Sequence, residues 1–471
     1  MPRLGCGRTG RRGHPASLFL AVLMAAMVLL GAACSSPGPA TAGASTGPVK
    51  AVITPDTPAG TQLRWLIAAA AAHLPLSGAQ VRAHFDAAFL AQVSPAVLNQ
   101  GLHAVVIVRL LSIEVSEPRT LVAIASASGV LSRAQVALSV DSQGLISELR
   151  IGPATTARTP ATWAGVDAAI RSVAPRVRLL VANVSTGSCQ PVHSIDPATA
   201  APLGSAFKLY VLDALGNAVA SGKIRWTQLL AVTAQLKSLP SGELQNEPDG
   251  TRISVRDTAA KMISISDNTA ANMLINLVGR PAVEAALATT GMADPALDRP
   301  FLTTREMFIL KLDQWPALAK RYVATNEAGR RALLASTVDR APLPAVAAAQ
   351  AWTTPRDINS LEWFASADDI CRAYTALAAL AARPGLSPIG QVLSLNDGGL
   401  QLDPAQWKTT WFKGGSEPGV LTLAYLATTQ TGQSYVVTVL ADNPLQPINE
   451  AKAARVLLSA IKGAFTLAAR R

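Results

Sequence analysis

The sequence predicts an α+β protein with two globular parts. In the smaller part helices precede strands, and in the larger part helices lie between two groups of strands. Within the smaller part, residues 57–155, the stretches TPAGTQLRWLIAAAAAH (57–73) and GAQVRAHFDAAFLAQV (78–93) repeat apolar residues at three-to-four spacing, which predicts a helix over each. VVIVRLLSIEV, TLVAIASAS, AQVALSVDS and GLISELRIG follow, rich in β-branched residues and separated by polar turns, and they predict a run of antiparallel strands. The stretch PATTARTPAT (153–162) reads as the junction. In the larger part, residues 156–471, RVRLLVANV and the segment around PVHSI predict a hairpin about Thr186-Gly187-Ser188. A long helical region begins near Ser205, and the apolar periodicity between Trp315 and Leu380 predicts core helices. WFKGGSEPGVLTLAYLATT and SYVVTVLAD return to strands, and EAKAARVLLSAIKGAFTLAAR predicts a closing amphipathic helix. Strands at both ends of this part are expected to share one sheet.

The chain has 471 residues, 49% of them hydrophobic, enough for two or three domains with large cores. Its first stretch stands apart. Arg3, Arg8, Arg11 and Arg12 precede the uncharged run SLFLAVLMAAMVLLGAAC, which ends in small residues at Cys34, the pattern of a secretory signal over residues 1–34. Leu30-Gly31-Ala32-Ala33-Cys34 resembles a bacterial lipobox, in which the cysteine is lipidated and becomes the first residue of the mature chain. A Ser/Pro/Gly/Ala/Thr-rich stretch follows, and residues 35–56 read as a tether. The expected location is therefore the outer face of the cytoplasmic membrane, with the membrane as partner through the anchor on Cys34. Four of the 41 basic residues lie in the signal, leaving 37 against 30 acidic residues, a net +7. That is mild, and no basic block is interleaved with aromatics, so no nucleic-acid partner is expected. Cys189 and Cys371 remain beyond Cys34; in an oxidising exterior they either pair or stay as two buried thiols. No CxxC or clustered His/Cys set is present, so no metal or other cofactor is expected.

The larger part contains a single histidine, His193, in a predicted strand, and no GxSxG elbow accompanies any serine. That argues against a Ser-His-Asp triad and leaves His193 with a structural role. A lysine can activate a serine instead, if both share a helical face and the lysine is desolvated enough to be neutral part of the time. Ser205-Ala206-Phe207-Lys208 has that spacing, and Pro202-Leu203-Gly204 puts Ser205 in the first turn, where free N–H groups favour a developing anion. Ser-x-x-Lys alone carries little information. Ser266-Asp267-Asn268 lies downstream between helical segments: its hydroxyl can relay a proton, and the Asn268 amide can hold a substrate carbonyl or the lysine. Lys413-Gly414-Gly415 falls on a predicted strand, where a cation can bind a substrate carboxylate and glycines let an extended substrate lie along the strand edge.

Taken in this order, Ser-x-x-Lys, Ser-Asp-Asn and Lys-Gly-Gly resemble the class A β-lactamase and penicillin-binding serine hydrolase superfamily. The resemblance covers roughly residues 165–465 and implies an antiparallel sheet flanked by helices, with an all-helical subdomain. It implies Ser205, Lys208 and Ser266 as nucleophile, base and proton relay. Asn268, Lys413, Gly415 and Ser416 would be substrate-binding, with an oxyanion hole from the N–H groups of Ser205 and Ser416. Two departures stand out. The stretch ADPALDRPFLTTREMF has no obvious counterpart of the glutamate that positions the deacylating water in class A β-lactamases; Asp298 and Glu306 are the nearest carboxylates, and Glu306 reads as a solvated charge at a helix start. Gly414 also stands where the family usually has a hydroxyl residue. Efficient β-lactam turnover is therefore not expected. The whole layout resembles LpqF-type lipoproteins and the two-domain β-lactamase-like proteins of clavulanic acid clusters, which implies a steroid-isomerase-like (NTF2-like) fold for residues 57–155. The function expected is that of a cell-envelope serine hydrolase acting on a small-molecule or wall-derived acyl substrate, as an esterase or weak β-lactamase. The alternatives are a D,D-peptidase, or a binding protein for β-lactams or peptidoglycan fragments that hardly turns over.

Overall fold

The computed structural model describes residues 52–470 apart from 73, 130–132 and 154–158. The expected signal, Cys34, most of the expected tether and part of the expected junction lie outside the described residues.

The helices Pro58–Ala72, Gly78–His84, Ala87–Gln92 and Pro95–Ala104 precede four strands, β1 (Val105–Ser116), β2 (Thr120–Gly129), β3 (Arg133–Val140) and β4 (Ile146–Pro153). The strands form one antiparallel sheet in chain order. Alternation along β3, where Ala134, Val136, Leu138 and Val140 are buried, turns one face onto the helices, where Leu63, Leu66 and Phe85 fill the core. The helix expected over 78–93 is broken. Phe85 leaves helical geometry to bridge Ile146, and the Asp86 carboxylate caps a new helix by accepting from the Phe89 N–H at 2.6 Å. The Pro95–Ala104 helix was not anticipated; Ser94 caps it, with Pro95 in its first turn.

The larger part is built on a five-stranded antiparallel sheet. Its strands are β5 (Arg176–Asn183), β6 (Gln190–Ile195), β7 (Trp407–Glu417), β8 (Val420–Thr429) and β9 (Ser434–Asp442), in the spatial order β7-β8-β9-β5-β6. The first and last strand groups of this part do share one sheet, joined where β9 pairs with β5 from Tyr435↔Asn183 to Asp442↔Arg176. Both faces are covered. Leu180 and Ala182 face a core shared with the central helices, while Leu179 and Val181 face the helices Trp163–Arg171 and Glu450–Ala468. His193 is structural: its ring stacks on Trp163 at 4.5 Å between centroids, and its Nε2 lies 2.7 Å from an Asp167 carboxylate oxygen.

The central helices include Lys208–Ala220, Val255–Ser264, Asn268–Val278 and Ala367–Ala381. The expectation of core helices through Trp315–Leu380 holds at its ends and at 327–338, where Leu333, Leu334 and Val338 join the core, but not through 339–366. Between Ala317–Val323 and Ala367–Ala381 the chain makes short pieces, and Val346–Gln350 buries no residue, because its alanine-rich apolarity reflects helix propensity more than a core-facing stripe. At the head of the Ala367–Ala381 helix, buried Ser366 accepts from the Asp369 N–H at 3.1 Å while the Asp369 carboxylate accepts from the Ser366 N–H at 2.8 Å. Ser366→Ala is expected to cost about 1–2 kcal/mol, read as a lower urea midpoint. In the same helix Cys371 forms a disulfide with Cys189, which resolves the two cysteines as a pair.

Residues 51–471 make one compact unit. The Glu450–Ala468 helix packs on the small sheet as well as the large one: Arg455 donates to the Gln135 side-chain oxygen, and Gln135 donates onward to Glu114 on β1 at 2.9 Å. The β1 backbone also runs close to the Gly398-Gly399 turn, where a Cβ on Gly399 would lie 2.4 Å from the Glu114 carbonyl oxygen. Among the described residues no helix is long and apolar enough to cross a membrane.

Candidate active site

The chain enters the Lys208–Ala220 helix through one 3-10 turn, Gly204–Phe207, which carries Ser205. Gly204 sits at φ +50°, and a Cβ there would lie 2.8 Å from the backbone nitrogen of Ser416, so only glycine fits. Gly415 is equally constrained, since a Cβ on it would lie 2.5 Å from the backbone nitrogen of Ser205. These two close approaches bring the N–H groups of Ser205 and Ser416 to one corner, on the edge strand β7.

Lys208 lies fully buried behind Ser205. Its Nζ is 2.6 Å from the Ser266 carbonyl oxygen, 2.7 Å from Asn268 Oδ1, 3.1 Å from Ser266 Oγ and 3.2 Å from Ser205 Oγ. The Ser266 carbonyl and the Asn268 Oδ1 can only accept, so they take two N–H groups. What is left on a neutral amine is its lone pair, and it faces two hydroxyls. Burial lowers the Lys208 pKa well below the usual lysine range, the Lys413 charge lowers it further, and Asp267 opposes both. Asn268 thus holds the lysine, one of its two expected partners.

The second motif is shaped by strain and capping. Ser266 adopts φ +56°, an uncommon region for a residue with a side chain, and so turns both its carbonyl and its hydroxyl toward Lys208. Fully buried Asp267 caps the Asn268–Val278 helix through the Ala270 N–H at 2.8 Å and accepts from the Glu243 and Leu244 N–H groups at 2.7 and 2.9 Å. The loop before the motif is thereby fastened to it.

Lys413, 2% exposed, donates to Ser266 Oγ at 3.0 Å and to the Gly414 carbonyl at 2.6 Å. Burial lowers its pKa to about 7, and the charge of Glu117 acts against that shift. Gly414 leaves room for the Phe412 ring, 2.8 Å from where a Cβ would stand. All seven catalytic and substrate-binding positions expected from the sequence therefore gather around one cavity of about 1040 Å3; Cys34 lies outside the described residues.

Neither Asp298 nor Glu306 lines that cavity. Contrary to expectation Glu306 is not solvated. At 2% exposure it accepts from the Thr303 N–H at 2.6 Å in a capping box and pairs with Arg280 Nη2 at 2.5 Å. Asp298, also buried, accepts from the Phe364 N–H at 2.8 Å, and burial pushes its pKa well above the carboxylate range. Sequence reasoning missed two groups that do line the cavity. One is the carboxylate pair Glu362 and Glu417, backed by buried Lys311, whose Nζ donates to both Glu417 carboxylate oxygens at 2.6 and 2.7 Å and lies 3.4 Å from Glu362. Burial alone would lower the Lys311 pKa, and the two carboxylates outweigh it, leaving it raised. The other is the Ser116–Thr120 turn between β1 and β2, with Glu117. The Ser-Glu sequence after Gly415 was the only available signal for the first; nothing in the sequence signals the second.

The fold agrees with comparison to known proteins. Residues 163–363 match the Beta-lactamase enzyme family and residues 53–146 match the family described as ORF 12 gene product N-terminal. Residues 163–363 thus carry the resemblance to the class A β-lactamase and penicillin-binding serine hydrolase superfamily that the motifs imply; the matched segment ends before β7 and Lys413. Among solved structures, the β-lactamase of Sphaerobacter thermophilus is similar at 21% identity over 65% of this chain and 97% of its own, with a TM-score of 0.46. PBP-A is similar at 16% identity over 67% and 100%, with a TM-score of 0.45. The β-lactamase of Chitinophaga pinensis is similar at 17% over 65% and 98%, with a TM-score of 0.45. A sequence search among curated proteins finds no match.

Proposed function

We propose that this chain is a cell-envelope serine hydrolase, lipid-anchored through Cys34, that forms an acyl-enzyme at Ser205. The observation that carries the reading is the arrangement around Lys208 Nζ, with two obligate acceptors engaged and two hydroxyls within 3.2 Å. In this reading the Lys208 lone pair takes the Ser205 proton as Oγ attacks the substrate carbonyl carbon. The tetrahedral anion rests on the N–H groups of Ser205 and Ser416. Ser266, hydrogen-bonded to Lys413, passes a proton to the departing alcohol, thiol or amine as its bond to the carbonyl carbon breaks. Water then releases the acid and restores the serine. Asn268 holds Lys208, while Gly415 and the outer edge of β7 give an extended acyl donor a surface to lie along.

A second reading, a slow acceptor, is supported by the burial of Glu306 and Asp298 away from the cavity. Both readings are tested by mixing the protein with benzylpenicillin and with an activated thioester and following intact mass, with peptide mapping of the adduct. A transient adduct on the Ser205 peptide is expected. One that persists for hours favours the slow acceptor, and no adduct at Ser205 with either reagent overturns both.

A further inference from the structure

The cavity around Ser205 has a wall that the hydrolase part does not supply. The Ser116–Thr120 turn is held rigidly: the Glu117 N–H donates to the Thr120 carbonyl at 2.8 Å, the Val140 N–H to the Arg119 carbonyl at 2.8 Å, and the Ala59 N–H to the Pro118 carbonyl at 3.2 Å. Arg455, Gln135 and Glu114 dock this sheet on the large part. The result places Glu117 in the same cavity as Ser205, Ser266 and Lys413. Its side chain is exposed and lines the cavity. Burial raises its pKa while the Lys413 charge opposes that rise, and both groups line the one cavity. Glu450 also lines the cavity, and burial raises its pKa to about 7. Lys413 therefore shares the cavity with both carboxyl groups.

We propose that Glu117, carried in by the β1–β2 turn, is a specificity-determining residue: it takes the place of a substrate carboxylate opposite Lys413. Ser205 then acts on acyl donors whose leaving group is neutral or bears an ammonium group, and discriminates against donors that present a carboxylate there. This rests on the acyl-enzyme reading above. A carboxylate entering the site meets the Glu117 carboxylate in a partly desolvated space, where like charges repel strongly; a cation meets the opposite field.

The test uses three thioesters with one acyl group, whose leaving thiols are thioglycolate, its N-methylamide and thiocholine. Ser205 Oγ bonds to the carbonyl carbon, the C–S bond breaks and the thiol leaves with a proton, so all three give the same adduct and differ only in acylation. Thiol release and the mass of the Ser205 peptide are read together. Wild-type protein is expected to favour the amide and thiocholine thioesters over thioglycolate by at least about tenfold in kcat/KM. Glu117→Gln is expected to raise the thioglycolate-to-amide ratio about tenfold and to lower the thiocholine-to-amide ratio. Glu117→Ala, at this exposed position, should repeat the change without an amide in the site. Equal use of the three thioesters by wild type, or ratios unmoved in both variants, overturns the proposal while leaving the acyl-enzyme reading intact. No adduct at Ser205 with any of the three overturns that reading and this one with it.

Discussion

Lys208→Ala is expected to slow acylation of Ser205 by about a thousandfold, the range over which a positioned base accelerates proton transfer. Lys208→Arg should be no better, because a guanidinium stays protonated and has no lone pair to offer. Lys208→Met separates base from packing: it fills the buried volume, removes a buried cation and should fold, yet it should acylate as poorly as the alanine variant. Thioester consumption in a single turnover, with folding checked by circular dichroism, measures this directly. Retention of more than a tenth of the wild-type rate in the methionine variant would remove Lys208 from the mechanism. The pH dependence has a definite sign. Burial lowers the Lys208 pKa, so the neutral, active form dominates above that lowered value and the acylation rate falls as the pH drops through it. Folding linkage runs the same way for Lys413, whose pKa falls to about 7 in the folded protein against an ordinary value of 10.5. Between those two values the unfolded chain binds more protons than the folded one, so this group's cost to folding is relieved as the pH rises across the window.

Reducing the Cys189–Cys371 bridge, or replacing both residues with serine, is expected to cost the protein several kcal/mol. The bridge closes a loop of 182 residues. The chain-entropy relation gives about 5 kcal/mol for a loop of that size, and native bridges commonly deliver about 2–4 kcal/mol. Cys371 is fully buried on the Ala367–Ala381 helix, so the bridge ties that helix to the β5–β6 hairpin. Urea melts with and without reductant should show the loss as a shifted midpoint; coincident melts would show that the bridge contributes nothing. Acylation at Ser205 should survive at low temperature, because neither cysteine lines the cavity.

The strands were legible because β-branched runs separated by polar turns leave few alternatives, and all four strands of the small sheet fall where the pattern puts them. Ser205, Lys208, Ser266 and Lys413 were legible because each chemical role needs one residue type, and three such elements in one order are jointly specific. The failures have physical causes. The 78–93 helix breaks because Asp86 offers a better cap than the continuing helix offers a bond, a local competition that apolar periodicity does not record. Glu306 looked solvated because a capping box predicts its backbone partners and says nothing of Arg280, which arrives from another helix. Glu117 escaped notice because its significance depends on how two sheets dock, through Arg455 and Gln135, and docking leaves no pattern along the chain.

The pairing of β9 with β5 also governs how the protein reaches its working form. Joining residues 183 and 435 closes most of the larger part into a single loop, and the entropy of that closure must be met before the contacts it permits are made. Ser205 sits just after one side of that seam and Lys413 shortly before the other. A chain that has built its helices but not yet zipped this seam therefore holds the nucleophile without its counterpart strand, so reactivity should appear in a single late step of refolding, together with the final sheet and not before it.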